Sequence, residues 1–308
     1  MTPRVLVTGA AGTVGRCAVA QLIDAGWDVH ATCRAEPPDL GPVTWHHGDL
    51  LVPGAAAQVV QAAQPSHVLH LAWHMAVGSW QTAGADENLA WVGASAELAR
   101  TLNELGGERF VAAGSCTEYD WNNERFDEDS PRRPASFYGR CKAITHDLLT
   151  AYGTEADLSV AWGRIFFLHG PHENPRRLVP AVITALLKSE EAQTSDGLQA
   201  RDYLHADDVA SAYLCLLDRP EAVGAFNIAS GHATTLRHMI EHIGATIGRS
   251  DLLDIGAIQR ASTDTDRVVG DHERLAELGW APGHTLESGL DATIDWWRDN
   301  LDPQEPRS

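Results

Sequence analysis

An apolar pentapeptide, Arg4-Val5-Leu6-Val7-Thr8, runs straight into Gly9-Ala10-Ala11-Gly12-Thr13-Val14-Gly15 and then into a helical stretch, Arg16 to Ala25. No other segment constrains the fold so strongly. A buried strand that turns through glycines into a helix offers bare backbone amides, and the positive end of the new helix, to a pyrophosphate. A glycine triplet can equally be a plain strand-to-helix turn, so its flanks decide what it means. Beyond it, apolar strands alternate with helical patterns as far as about Gly153, the arrangement of a parallel sheet covered on both faces.

Tyr138 and Lys142 stand four apart in Ser136-Phe137-Tyr138-Gly139-Arg140-Cys141-Lys142. On a helix, positions i and i+4 share a face, which sets a phenol beside an ammonium. The ammonium favours phenolate and is expected to draw the tyrosine pKa from about 10 toward neutrality, where it exchanges a proton with a substrate oxygen. The same spacing occurs on many amphipathic surfaces, and the companion segments give it weight.

Together these segments resemble the extended branch of the short-chain dehydrogenase/reductase family, which holds nucleotide-sugar epimerases, dehydratases and ketoreductases. The likeness covers nearly the whole chain. It includes Gly48-Asp49-Leu50, His70-Leu71-Ala72, Glu87-Asn88, Ala113-Gly114-Ser115, Gly170-Pro171-His172, Arg201-Asp202-Tyr203-Leu204-His205 and Leu278-Gly279-Trp280. It implies an α/β fold, a doubly wound parallel Rossmann sheet with a smaller C-terminal substrate lobe. The expected division is 1–168 for the dinucleotide-binding domain, whose core also receives 204–230, and 169–308 mainly for the substrate lobe. Helices are expected at Leu178 to Lys188, Asp207 to Leu217, Thr235 to Ile247 and Leu286 to Trp297, with a strand at Ala225 to Ile228. Trp296-Trp297 reads as packing, and Asp302 to Ser308 as a frayed end.

Cofactor choice is written at the end of the second strand, Asp28-Val29-His30-Ala31-Thr32-Cys33-Arg34. A carboxylate there would grip a ribose 2′-hydroxyl; a guanidinium matches a 2′-phosphate in charge and shape, so NADP(H) is favoured over NAD(H). Arg34 as a solvated strand-end charge is the plain alternative. By resemblance, Gly9, Gly12, Thr13, Val14, Gly15, Asp49, Leu50, Leu71 and Ala72 join Arg34, Tyr138 and Lys142 around the cofactor. The resemblance also makes Ser115, four residues before Tyr119, the hydroxyl that hydrogen-bonds the substrate oxygen, a stabilising contact for a developing alkoxide.

Departures from the family pattern narrow the chemistry. Sugar-nucleotide 4,6-dehydratases carry an acidic pair directly after the catalytic hydroxyl residue, where this chain has Cys116 and Thr117, so dehydration is disfavoured. Gly170-Pro171-His172-Glu173-Asn174 resembles a segment of GDP-fucose synthase and offers His172 as an acid/base, although Cys116 is one residue displaced from the cysteine of that enzyme. Cys116, Thr117, Asn174, Arg176, Arg177 and Arg201 are candidates for the substrate, with Arg201 clamping a diphosphate unless it is held by Asp202 or Asp207.

Composition is consistent with this class. The 308 residues carry a net charge of −19, which argues against nucleic acid and anionic membranes. Five scattered cysteines without a Cys-x-x-Cys spacing fit a reducing cytoplasm and give no metal site. A first strand close to Met1 leaves no room for a signal peptide, and no apolar run reaches a membrane span. The expected activity is NADP(H)-dependent reduction of a nucleotide-linked keto-sugar. An NDP-sugar epimerase with tightly held NAD is the near alternative, and a non-catalytic NADP(H)-sensing protein the distant one. Two long helices, near Asn88 to Leu105 and Tyr138 to Tyr152, are those through which the family forms homodimers.

Overall fold

The computed structural model describes residues 2–73, 85–260 and 264–301. The end segment Asp302 to Ser308, expected to fray, lies outside the described residues. Seven parallel strands form the main sheet. Five come early: β1 (Arg4–Thr8), β2 (Asp28–Cys33), β3 (Val43–His47), β4 (His67–His70) and β5 (Arg109–Ser115). Strands Ser159–Ile165 and Gly224–Ile228 complete it, giving the spatial order Gly224–Ile228, Ser159–Ile165, β5, β4, β1, β2, β3. The order reverses between β1 and β4, and the carboxyl ends of such a pair open the crevice where doubly wound sheets bind ligands.

The period-2 pattern of β1 explains why the sheet is covered twice. Val5 and Val7 belong to one core with Val19, Leu22, Val209 and Leu216, while Leu6 belongs to another with Val68, Leu98, Phe110, Leu149 and Trp162. The first core is closed by α1 (Thr13–Asp24), and the second by α2 (Ala55–Ala63), α3 (Ala85–Glu104) and α4 (Phe137–Ala156). Ser136 Oγ caps α4 by accepting from the Gly139 N–H at 3.0 Å, so the polar residue before Phe137 fixes where the helix begins and hence where Tyr138 points.

A third core lies in the C-terminal part, among α5 (Leu178–Leu187), α7 (Leu236–Ile247) and α9 (Leu286–Asn300), with Ile183, Met239, Ile243, Leu290 and Ile294 buried together. Trp297 joins that core and Trp296 stands edge-on to it at 5.1 Å, the packing arrangement anticipated for the pair. Helix α6 (Ala206–Leu217) lies against the first core, ahead of the short α8 (Glu273–Glu277). Small two- and four-stranded sheets, such as Phe167–His169 beside Tyr203–His205, join the two parts. Among the described residues, no helix is long and apolar enough to cross a membrane.

Candidate active site

A cleft of about 620 Å³ opens at the carboxyl ends of the central strands. Its floor is the glycine turn. Gly9 has φ +73°, and a β-carbon there would meet the Ala72 nitrogen at 2.7 Å; one on Gly15 would meet the Gly9 carbonyl oxygen at 2.1 Å. Both glycines are therefore required by close backbone approach, which leaves room above the turn for a pyrophosphate. Thr8 Oγ1 ties the two switch-point strands, bonding His70 Nδ1 at 2.7 Å and accepting the Ala72 N–H at 3.2 Å. Burial pulls the His70 imidazole down to about 3, so it serves as a neutral link.

Gly9, Gly12, Thr13, Val14 and Gly15 line this cleft, as do Arg34, Asp49, Leu50, Leu71 and Ala72. Arg34 is exposed and has no ion-pair partner among the described residues, so its guanidinium is free at the β2 end of the cleft. Glu36, two residues on, lines the same end.

Ser115, Tyr138 and Lys142 meet at the opposite end. Ser115 Oγ accepts from the Thr117 N–H at 3.2 Å and the Thr117 hydroxyl at 2.9 Å, and Ser115 and Tyr138 share a side-chain hydrogen bond. With both lone pairs of Ser115 occupied, its own proton is left for Tyr138 or for an oxygen in the cleft. Lys142 Nζ donates to the Ala113 carbonyl at 2.7 Å, lies 3.7 Å above the Trp73 ring, and stands 6.0 Å from the centre of the Tyr138 ring.

The expected effect of the ammonium on the phenol is not what this geometry gives. Burial pushes the Tyr138 phenol up, with the Ser115 hydrogen bond working the other way. Burial also draws the Lys142 ammonium down to about 7, against the pull of the Glu118 carboxylate. Helical spacing brought the two side chains together, but both left water, and desolvation outweighs an attraction across 6.0 Å.

Several candidates stand elsewhere. His172 is exposed outside the cleft, its ring 4.4 Å from that of Trp296 and its carbonyl oxygen accepting from Thr13 Oγ1 at 3.2 Å. Its backbone is left-handed, φ +58°, and its ring packs on Trp296 of α9 and does not line the cleft that holds Ser115. Arg176 is exposed and does not line the cleft, whereas Asn174 and Arg177 do. Arg201 is buried, bonded to Asp264, to the Thr265 carbonyl and to its own neighbour Ala200, so the partner holding it is neither Asp202 nor Asp207. Asp202 instead accepts from Ser230, Gly231 and Gly270. Cys116 is only 2% exposed, and burial pushes its thiol up, so it offers no nucleophile or base. Thr117 acts through Ser115.

Three residues of the site escaped the sequence reading. Trp73 is the platform under Lys142. Glu118, fully buried, accepts from the Ser115 N–H at 2.8 Å, from Trp162 Nε1 at 2.9 Å and from Arg164 Nε at 2.9 Å, and so fixes the backbone of Ser115. Glu173 lines the cleft with Oε2 buried and without a hydrogen-bond partner among the described residues, burial pushing its carboxyl up to about 7 with Arg177 opposing. Ser115-Cys116-Thr117-Glu118 has the spacing of a capping box, a legible signal for Glu118.

The profile of the NAD dependent epimerase/dehydratase family matches residues 5–229. The dTDP-D-glucose 4,6-dehydratase of Homo sapiens is 26% identical over 211 residues, 66% of this chain; the matched part spans only 60% of that enzyme. The dTDP-glucose 4,6-dehydratase of Streptomyces griseus is 28% identical over 337 residues, covering 99% of this chain and 97% of its own. The solved structure of MoeE5 in complex with UDP-glucose and NAD superposes with a TM-score of 0.87 at 29% identity, covering 97% of this chain and 100% of that one.

Proposed function

Because the chain belongs to the NAD dependent epimerase/dehydratase family, we propose that it is an NADP(H)-dependent ketoreductase acting on a nucleotide-linked keto-sugar. The observation that carries this reading is the free guanidinium of Arg34 at one end of the cleft that holds Ser115, Tyr138 and Lys142 at the other. A dinucleotide fits the donor set: Gly9 and Gly15 leave space for its pyrophosphate, Arg34 meets a 2′-phosphate, and Asp49 and Leu50 meet the adenine. Bound NADPH would supply hydride to the carbonyl carbon. Tyr138 then gives its proton to the carbonyl oxygen and becomes a phenolate, Ser115 orients that oxygen, and Lys142 holds the nicotinamide ribose and, when protonated, stabilises the phenolate left behind. Arg177, with Asn174, is positioned for the substrate diphosphate, and residues 169–308 form most of the substrate lobe around it. The buried Cys116 and the Ser115-bound Thr117 leave no acidic pair for dehydration.

A second reading, an NDP-sugar epimerase retaining NAD, is favoured by Glu36 beside Arg34 and by the NAD of the MoeE5 structure. Affinity separates the two. NADPH should bind at least tenfold more tightly than NADH, a difference of about 1.4 kcal/mol, and Arg34→Ala should erase most of it. Equal affinities in the wild type would refute the NADP(H) assignment. The chain is further proposed to pair as a homodimer through α3 and α4, where Leu89, Ile144 and Leu148 are 58%, 57% and 44% exposed.

A further inference from the structure

Away from the cleft, the fold gathers metal-ligating side chains from segments far apart in sequence. His205, Asp207 and His284 each offer a ligand atom, and these atoms all lie within 4.8 Å of one another. We propose that this cluster binds a single zinc ion, with water as the fourth ligand, that braces the start of α6 against the segment leading into α9.

Each donor is held by a different constraint. His205 and Asp207 flank the start of α6, with Nδ1 of His205 3.3 Å from an Asp207 carboxylate oxygen and accepting the Asp207 N–H at 3.3 Å. His284 lies in the turn before α9, where its N–H donates to Asp208 at 3.2 Å and its ring centre is 4.6 Å from that of His205. Gln21, on α1, donates to the Asp207 carbonyl at 3.0 Å. Two imidazoles and one carboxylate form a donor set that zinc takes tetrahedrally with water in the fourth position, and one that magnesium and calcium, which prefer oxygen alone, do not. Tetrahedral zinc bonds of about 2.0–2.1 Å set donors roughly 3.3–3.4 Å apart, so the three ligand atoms, now within 4.8 Å of one another, close on the ion by side-chain rotation. The Asp207 side chain is 48% exposed and has room to turn.

A helix cap is the plain explanation of His205, and it accounts for Nδ1 only. The side chain is 2% exposed, and its Nε2 is buried with no hydrogen-bond partner among the described residues. A buried nitrogen left in this state calls for a partner. Nor does a cap explain why His284 converges on the same carboxylate. The site departs from the sequence expectation of no metal because its ligands, at 205, 207 and 284, show no full metal-site spacing along the chain.

The test uses the full chain without a histidine tag, stripped with chelator. Cobalt(II) serves as the optical probe, and zinc is titrated against a chromophoric chelator. The expected result is one zinc per chain and visible cobalt bands of tetrahedral intensity. His284→Gln should weaken zinc binding at least tenfold, and zinc should raise the melting temperature of the wild type more than that of this variant. A weak octahedral cobalt spectrum, or equal zinc affinity in wild type and His284→Gln, would overturn the site. Should the variant fail to fold, the wild-type cobalt spectrum decides on its own. Nothing in this test depends on nucleotide or sugar binding.

Discussion

Glu118→Gln tests how the site is held. Glu118 and Arg164 are 0% and 1% exposed at the side chain, and their carboxylate–guanidinium contact is 2.9 Å. In glutamine, Oε1 keeps the N–H of Ser115 and the indole N–H of Trp162, because both bonds end on that one oxygen. The new Nε2 replaces the oxygen that receives Arg164 Nε, setting donor against donor and leaving a buried cation unpaired. Breaking one half of a buried pair costs about 3–5 kcal/mol. Adding Arg164→Met removes the stranded charge, so the double variant should be more stable than Glu118→Gln alone even though it carries one more change. Urea unfolding of the four proteins gives the coupling directly. A loss below about 1 kcal/mol for Glu118→Gln, or a double variant at the sum of the two single losses, would refute the reasoning.

Tyr138→Phe removes one hydroxyl, so turnover should fall by roughly a hundredfold or more while NADPH affinity is kept; near-normal turnover would mean the proton comes from another group, with Glu173, a buried carboxyl lining the cleft, the one to substitute next. Lys142 has its folded pKa drawn below its ordinary value, to about 7, so the stability linked to it is fully present above pH 10.5 and lost as pH falls through 7. Stability of the nucleotide-free protein should therefore rise between pH 7 and 9 by up to about 1.4 kcal/mol per unit, and Lys142→Met should flatten that slope; identical slopes would show that burial does not govern the ammonium. Ile144→Asp should convert a homodimer to a species of one chain mass, 33.3 kDa, by light scattering, whereas a wild type already at that mass would remove the α3–α4 interface.

What could be read from the sequence was whatever local chemistry dictates. The glycine turn, the strand Arg4–Thr8 and the helix carrying Tyr138 follow from steric need, period-2 burial and an N-cap serine, and each lies where its pattern placed it. Helix ends moved by a few residues, as at Thr13 where Arg16 was expected, because glycine-turn residues join the helix once its first amides are satisfied. The substrate side was less legible. His172 and Arg201 sit in suggestive motifs, but they pack on Trp296 and pair with Asp264, neither of which leaves a trace in local spacing. Glu118 and Arg164 are 46 residues apart, and only the pairing of β5 with Ser159–Ile165 brings them together.

The most direct test of the proposed activity is the fate of the cofactor hydride. NADPH deuterated at the transferred C4 position is mixed with the protein and a panel of nucleotide-linked keto-sugars, and products are weighed by mass spectrometry. A ketoreductase built on Ser115, Tyr138 and Lys142 incorporates one deuterium into the sugar for each NADPH consumed. Interconversion of nucleotide-sugars with no net NADPH consumption and no deuterium in the product would contradict the account and assign the cleft to an epimerase.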